Sequence, residues 1–133
     1  MSESKRFVIP INPISVNKAW FGKHIKTSLY RQWSNDVLYL IPNDAKIEGW
    51  FVAEFTFYIK HFAASDADNF MKSTLDGLAK KGVIDDDRFC KKFTCEKVKV
   101  TNKSDEKIEV VLIPISMDKE KERVKLKDSI TIF

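Results

Sequence analysis

Alternation of apolar and polar residues predicts one long strand in the middle of the chain. The apolar residues fall on every second position, namely Phe51, Ala53, Phe55, Phe57 and Ile59. Polar side chains occupy most positions between them. Because successive side chains of a strand point to opposite faces, the pattern predicts a strand over residues 50–62 with one buried face.

The segment before this strand has the spacing of an amphipathic helix. Its apolar positions are Leu29, Trp33, Val37 and Leu40. Thr27 or Ser28 can cap the first turn, and Pro42 ends the helix.

A second helix follows the long strand. Asp68 can act as its N-cap, and Met71, Leu75 and Leu78 form its buried stripe. Gly82 supplies the residue that a helix C-terminus favours in the left-handed conformation.

Three further strands are predicted. Residues 6–14 are apolar and β-branched but contain Pro10 and Pro13, which suits an edge or bent strand. Residues 93–101 and 107–116 flank the turn-rich "NKSDE" and are expected to form an antiparallel hairpin. The element order is therefore β-α-β-α-β-β, which predicts an α+β fold with a mixed or antiparallel sheet of about four strands and two main helices.

Size and composition indicate one ordered domain over residues 1–133, with 117–133 as a charged C-terminal extension that is a helix, a swapped strand or a tail. An apolar content of 44% suits a packed core. The apolar runs are far shorter than the roughly 20 residues that span a bilayer, and residues 1–6 do not resemble a signal peptide. We therefore expect a cytoplasmic protein. Cys90 and Cys95 are expected to be reduced thiols.

Charge is distributed unevenly along a chain with a net charge of +4. Residues 66–87 carry six acidic residues against three lysines, whereas basic residues dominate beyond them. An acidic cluster repels a polyanion unless divalent cations neutralise it, while surrounding basic residues attract the polyanion. The distribution suits a metal-dependent enzyme that acts on nucleic acid, although +4 is also ordinary for a soluble surface.

Asp66 and Asp68 stand where the long strand leads into the second helix. In an extended backbone, residues two apart project to the same side, so both carboxylates can bind one cation. Hard oxygen ligands of this kind suit Mg²⁺ or Mn²⁺. The alternative is a helix cap at Asp68 and a solvated loop residue at Asp66.

Lys72 lies one helical turn beyond Asp68 and can reach a phosphate bound over the carboxylates. Its alternative role is an ion pair with Asp76. The run Asp85, Asp86 and Asp87 after the helix is either an exposed turn or a further source of ligands.

The segment "DADNFMKSTLDGLAKKGVIDDD" resembles the RusA-type Holliday-junction resolvases. The shared pattern is Asp-x-Asp-Asn-x-x-Lys, then Asp-Gly-Leu, a glycine and an aspartate pair. Together with "NPISVNKAW" and "KTSLYRQW" upstream, the resemblance covers about residues 7–115. It implies a bacterial or phage-encoded, Mg²⁺-dependent homodimer that cuts four-way DNA junctions by paired symmetric nicks during recombination and repair.

The resemblance also assigns residues. Asp66, Asp68 and Lys72 match the catalytic positions of the family, and the third carboxylate is Asp87 by ungapped counting or Asp86 by the spacing to the following "RF". Asp87 is preferred, and we expect the chain to fold back along the helix to bring it to the site; completion by a second subunit is the alternative. Candidate DNA-contacting residues are Asn17, Lys18, Lys23, Lys26, Arg31, Asn69, Lys80 and Lys81.

Other functions fit the sequence less well. An EF-hand calcium loop beginning at Asp66 would need Glu rather than Gly77 at its twelfth position. A nucleotide-sugar transferase would need more chain than 133 residues. A non-catalytic module that binds branched DNA stays open as the alternative.

Overall fold

The computed structural model describes residues 4–14, 20–21, 25–26, 28–64 and 67–116. Its strands and helices, in chain order, are β1 (Lys5–Ile9), β2 (Trp20–Phe21), β3 (Ile25–Lys26), α1 (Ser28–Leu40), β4 (Phe51–Ile59), α2 (Ala67–Lys81), β5 (Cys90–Lys99) and β6 (Lys107–Pro114). Strands β2 and β3 form a separate two-stranded pair. None of the described helices is long and apolar enough to cross a membrane.

Strand β4 is an inner strand of the main sheet. It pairs with β6 in the antiparallel direction and with β5 in the parallel direction. Strand β1 pairs with the far side of β6, which gives the order β1-β6-β4-β5. The predicted mixed four-stranded sheet with two helices, in the order β-α-β-α-β-β, is confirmed.

The buried face of β4 is the one that its alternation predicts. Phe51, Ala53, Phe55, Phe57 and Ile59 are all at most 3% exposed. Strand β6, which neighbours β4 in the sheet, continues this face, since its buried residues lie beside those of β4. Both helices contribute to the same hydrophobic core, so the helices cover one face of the sheet.

The expected hairpin between the last two strands is wrong. β5 and β6 do not pair, because β4 lies between them. Their connection crosses the end of β4 instead: the Val100 amide donates to the Ile59 carbonyl, and Glu106 accepts from the Lys60 amide. Turn residues between two strands predict a change of direction, but the burial of β4 decides which strands become neighbours.

Helix α1 buries a different stripe from the predicted one. Trp33 and Val37 are buried as expected, but Leu29 is 59% exposed and Tyr30 is buried in its place. Trp33 donates its indole N–H to the Asn12 carbonyl at 2.7 Å, which ties the helix to the chain after β1. Ser28 is the first residue of the helix, and Thr27 lies outside the described residues.

Helix α2 packs closely on α1. Its predicted stripe of Met71, Leu75 and Leu78 is buried, and Gly82 follows it with a φ of +85°. Gly77 faces Val37, and a Cβ atom at Gly77 would lie 2.9 Å from a methyl carbon of that valine. The absence of a side chain at residue 77 therefore sets the separation of the two helices.

This contact predicts that the effect of Gly77→Ala on the free energy of unfolding depends on the side chain at residue 37. Beside Val37, overpacking costs about 1–3 kcal/mol and outweighs the helix-propensity gain of about 0.5–1 kcal/mol. In a Val37→Ala background the added methyl group has room, so the same substitution should raise the free energy of unfolding. Urea denaturation of the four proteins measures the coupling. An equal effect of Gly77→Ala in both backgrounds would contradict the packing described.

Candidate active site

Asp68 lies in the first turn of α2, where a carboxylate is favoured by the helix dipole. It is exposed, and no hydrogen bond or ion pair joins it to another described residue. Burial, and then the negative charge of Asp68, raises the pKa of the Cys95 thiol to about 11. Cys95 lies beside Phe55 of β4, so the Asp68 carboxylate lies over the helix-covered side of β5. Asp66 lies outside the described residues.

Lys72 is exposed one turn further along α2. Its alternative role as the ion-pair partner of Asp76 is not observed, because Lys80 takes that position at 3.2 Å. Within the described part of the chain, no hydrogen bond or ion pair engages the Lys72 ammonium. The side chain is therefore available for an anion near Asp68.

Asp76 belongs to a network between the two helices. The Tyr30 hydroxyl donates to Asp76 at 2.5 Å, and the Lys80 ammonium lies 5.6 Å from the centre of the Tyr30 ring. Burial and this hydrogen bond raise the pKa of Tyr30 well above its ordinary value. The sequence pattern missed Tyr30, although it shares a helix stripe with Trp33 and Val37 at spacings of three and seven residues.

The three consecutive aspartates have different surroundings. Asp85 accepts a hydrogen bond from the Gly49 amide at 3.0 Å. Asp86 caps the 3₁₀ turn Asp87–Phe89 by accepting from the Arg88 amide at 3.0 Å, which with the hydrogen bond to Asp87 lowers the pKa of Asp86. The same carboxyl–carboxyl hydrogen bond raises the pKa of Asp87. Asp85 and Asp86 thus hold the loop through backbone amides, while the pKa of Asp87 is raised even though its contact with the Arg88 amide acts in the opposite direction.

The chain turns back along α2 before it enters β5. The 3₁₀ turn that begins at Asp87 contacts α2, and the charge of Asp76 is one of the causes that raise the pKa of Asp87. Asp76 is about 12 Å along the helix axis from Asp68. Asp87 therefore approaches α2 near its middle, and its distance from Asp66 stays a prediction because Asp66 is not described.

Basic side chains cluster at the 3₁₀ turn Phe62–Ala64, shortly before α2 in the chain. A surface hollow there is lined by Lys60, His61, Phe62, Ala63 and Lys99. Lys97 donates to the Phe62 carbonyl at 2.9 Å, and its ammonium lies 4.6 Å from the centre of the Phe62 ring. These residues were absent from the predicted DNA contacts, because their clustering arises from the meeting of two strand ends that are distant in sequence.

The predicted DNA-contacting residues are only partly described. Arg31 is exposed on α1, and Asn69 is half-buried in the first turn of α2. Lys80 pairs with Asp76, and Lys81 donates to the Leu38 carbonyl at the end of α1 at 2.7 Å. Asn17, Lys18 and Lys23 lie outside the described residues, as does the side chain of Lys26.

The donor chemistry of Asp68 fits a hard divalent cation. An exposed carboxylate without a described partner can replace one water of Mg²⁺, which is normally held by one or two carboxylates and keeps several waters. No group of three or more His, Cys, Asp or Glu side chains that could hold a metal ion occurs among the residues described, and Asp66 is not one of those residues. A cation at Asp68 and an anion at Lys72 would lie on the same face of the helix.

A comparison with known protein families gives a match for this chain. The family model described as endodeoxyribonuclease RusA matches residues 10–113, which is most of the chain. The match includes both helices, β4, β5 and all the candidate site residues. No curated protein matches the chain.

The Tyr30–Asp76 hydrogen bond predicts a stability that depends on pH. Because the folded-state pKa of Tyr30 lies above its ordinary value near 10, its contribution is complete below about pH 10 and falls as pH rises towards the folded pKa. We expect Tyr30→Phe to lower the free energy of unfolding by about 1–2 kcal/mol at neutral pH. In urea denaturation, the difference in free energy of unfolding between wild type and Tyr30→Phe should be smaller at about pH 11 than at about pH 8. A difference that stays constant would contradict the shift.

Proposed function

The chain belongs to the RusA endodeoxyribonuclease family, and from this membership we propose that it is a Mg²⁺-dependent nuclease that resolves Holliday junctions by paired symmetric nicks. Its role is in DNA recombination and repair. Mn²⁺ can substitute for Mg²⁺, since both accept carboxylate and water oxygens.

The observation that carries this proposal is the pair of available charges on α2. Asp68 and Lys72 are exposed one turn apart, while the neighbouring charge that could have neutralised Lys72 is taken by Lys80. A structural role would leave such residues in ion pairs or hydrogen bonds with the described chain. A phosphodiester cleft needs both charges free, the anion for the metal and the cation for the phosphate.

In the proposed mechanism, Asp66, Asp68 and Asp87 would hold the cation, with Asp86 as the alternative to Asp87. Bound Mg²⁺ supplies Lewis acidity toward the scissile phosphate and lowers the pKa of an attacking water. Lys72 donates to the phosphate oxygens and stabilises the negative charge that develops on them. The lysines of the basic hollow before α2 contact the phosphate backbone of the DNA strand that enters the site.

Paired nicks require two sites. A homodimer with two-fold symmetry presents two equivalent acidic sites, which matches the symmetry of a four-way junction. Arg31, on the exposed side of α1, is proposed to contact the arms together with Lys18, Lys23 and Lys26.

Cleavage of a labelled synthetic four-way junction tests the proposal. The wild-type chain should make paired nicks with Mg²⁺ and none with EDTA. Asp68→Asn should reduce the rate by more than about 100-fold, because even residues behind a metal ligand cost about 10–100-fold when lost. Asp36→Asn, an exposed aspartate on the other helix, is the matched control and should cleave normally. Junction binding without nicks under any divalent metal would make the chain a non-catalytic DNA-binding module.

Variants of Asp86 and Asp87 show which of the two residues is the third metal ligand and which only caps the loop. Asparagine caps a helical turn about as well as aspartate, so Asp86→Asn should keep the 3₁₀ turn and most of the cleavage activity. Asp87→Asn removes a proposed ligand and should lose activity by more than about 100-fold. Mg²⁺ titrations of the cleavage rate report which variant weakens metal binding. The reverse order of effects would assign the ligand to Asp86.

A further inference from the structure

Strand β5 is ten residues long and pairs with β4 on one side. Within the described residues its other side has no strand partner, and Phe93 is 46% exposed there. An unpaired edge of this length is a template for another strand. The register with β4 fixes its faces: Phe93 and Cys95 lie on the helix-covered face, and Lys92, Thr94 and Glu96 lie on the open face.

The sequence of this edge complements itself in one antiparallel register. If Thr94 lies opposite Thr94 of a second copy, each Lys92 lies opposite Glu96 of the other copy, and each Phe93 lies opposite Cys95. Threonine pairs, opposite charges and apolar pairs are all favourable across antiparallel strands. A shift of one residue in either direction breaks both Lys92–Glu96 pairs and places the helix-covered face of one copy beside the open face of the other.

This register places Lys91 of one copy opposite Lys97 of the other, so the surroundings of these lysines matter for the pairing. Lys97 is turned back to the Phe62 carbonyl and ring of its own chain. Lys91 lies at the irregularity where the β4–β5 register shifts, outside the five residues 92–96 that would pair. Lys99 lies three residues beyond them. Lysines on an edge strand discourage pairing with another chain, so we expect the paired segment to be limited to residues 92–96.

We propose that a second copy of this chain binds along the β5 edge, antiparallel and centred on Thr94, to form one continuous eight-stranded sheet. This inference deepens the proposed function, since it rests on the homodimer that paired nicks require. Residues that face each other across such a pair share a face of the sheet. Both copies of α2, with Asp68 and Lys72, would therefore lie on the same side of the joined sheet, where one junction can meet both sites.

Charge exchange tests the register. Lys92→Glu and Glu96→Lys each place two like-charged pairs at the interface, and each should raise the dimer dissociation constant by about tenfold or more. The double variant Lys92→Glu/Glu96→Lys restores both opposite pairs and should restore the dimer. Glu54→Lys is the matched control, because Glu54 lies beside Thr94 on the same face but one strand away from the edge. Sedimentation velocity at several concentrations gives the dissociation constants of the wild type and the four variants.

A disulfide gives an independent readout. Thr94→Cys in a Cys90→Ala/Cys95→Ala background should form a covalent dimer on mild oxidation, whereas Glu54→Cys in that background should not. A monomeric wild-type chain, or a dimer that ignores both charge reversals and yields no Thr94→Cys disulfide, would overturn the proposed interface. Junction cleavage by the same wild-type preparation separates the two proposals: a chain that nicks junctions while its dimer ignores these variants keeps its proposed function and pairs elsewhere.

Discussion

The burial of one face of β4 is the constraint on which the rest of the fold depends. Its alternate residues Phe51 to Ile59 lie at most 3% exposed, and each large apolar side chain buried in this way contributes about 1.5–3 kcal/mol. A strand with such a face must be covered along its whole length and flanked on both edges. β5 and β6 supply the flanks, and the two helices supply the cover.

The position of β4 between β5 and β6 also determines where the candidate site lies. Parallel strands require a crossover connection, and here that connection is α2 followed by the aspartate loop. The crossover brings the start of α2 over β5 and returns the chain to the side of Asp76. The carboxylates from the two ends of this segment therefore border one side of the sheet, at the edge where β5 meets solvent.

Hydrogen bonds and an ion pair divide the charged side chains around α2 into two groups. Tyr30, Lys80 and Asp76 satisfy one another between the helices, and Asp85 and Asp86 satisfy backbone amides of the loop. Asp68 and Lys72 are left available to solvent by that arrangement. A stabilising network and an exposed pair of opposite charges thus share one helix, because the side chains of Asp76 and Lys80 hold each other in place.

Local pattern determined much of this protein. The alternation of apolar and polar residues identified β4, and helical spacing identified α2 and its buried stripe. The Asp-x-Asp-Asn-x-x-Lys motif identified the family. Each of these signals is carried by residues close in sequence. Tertiary structure decided the rest. It set the strand neighbours of β4, the burial of Tyr30 in place of Leu29, the Tyr30–Asp76 hydrogen bond and the basic hollow that joins Phe62 to Lys99. These features bring together residues that are distant in sequence, and no local spacing records such contacts.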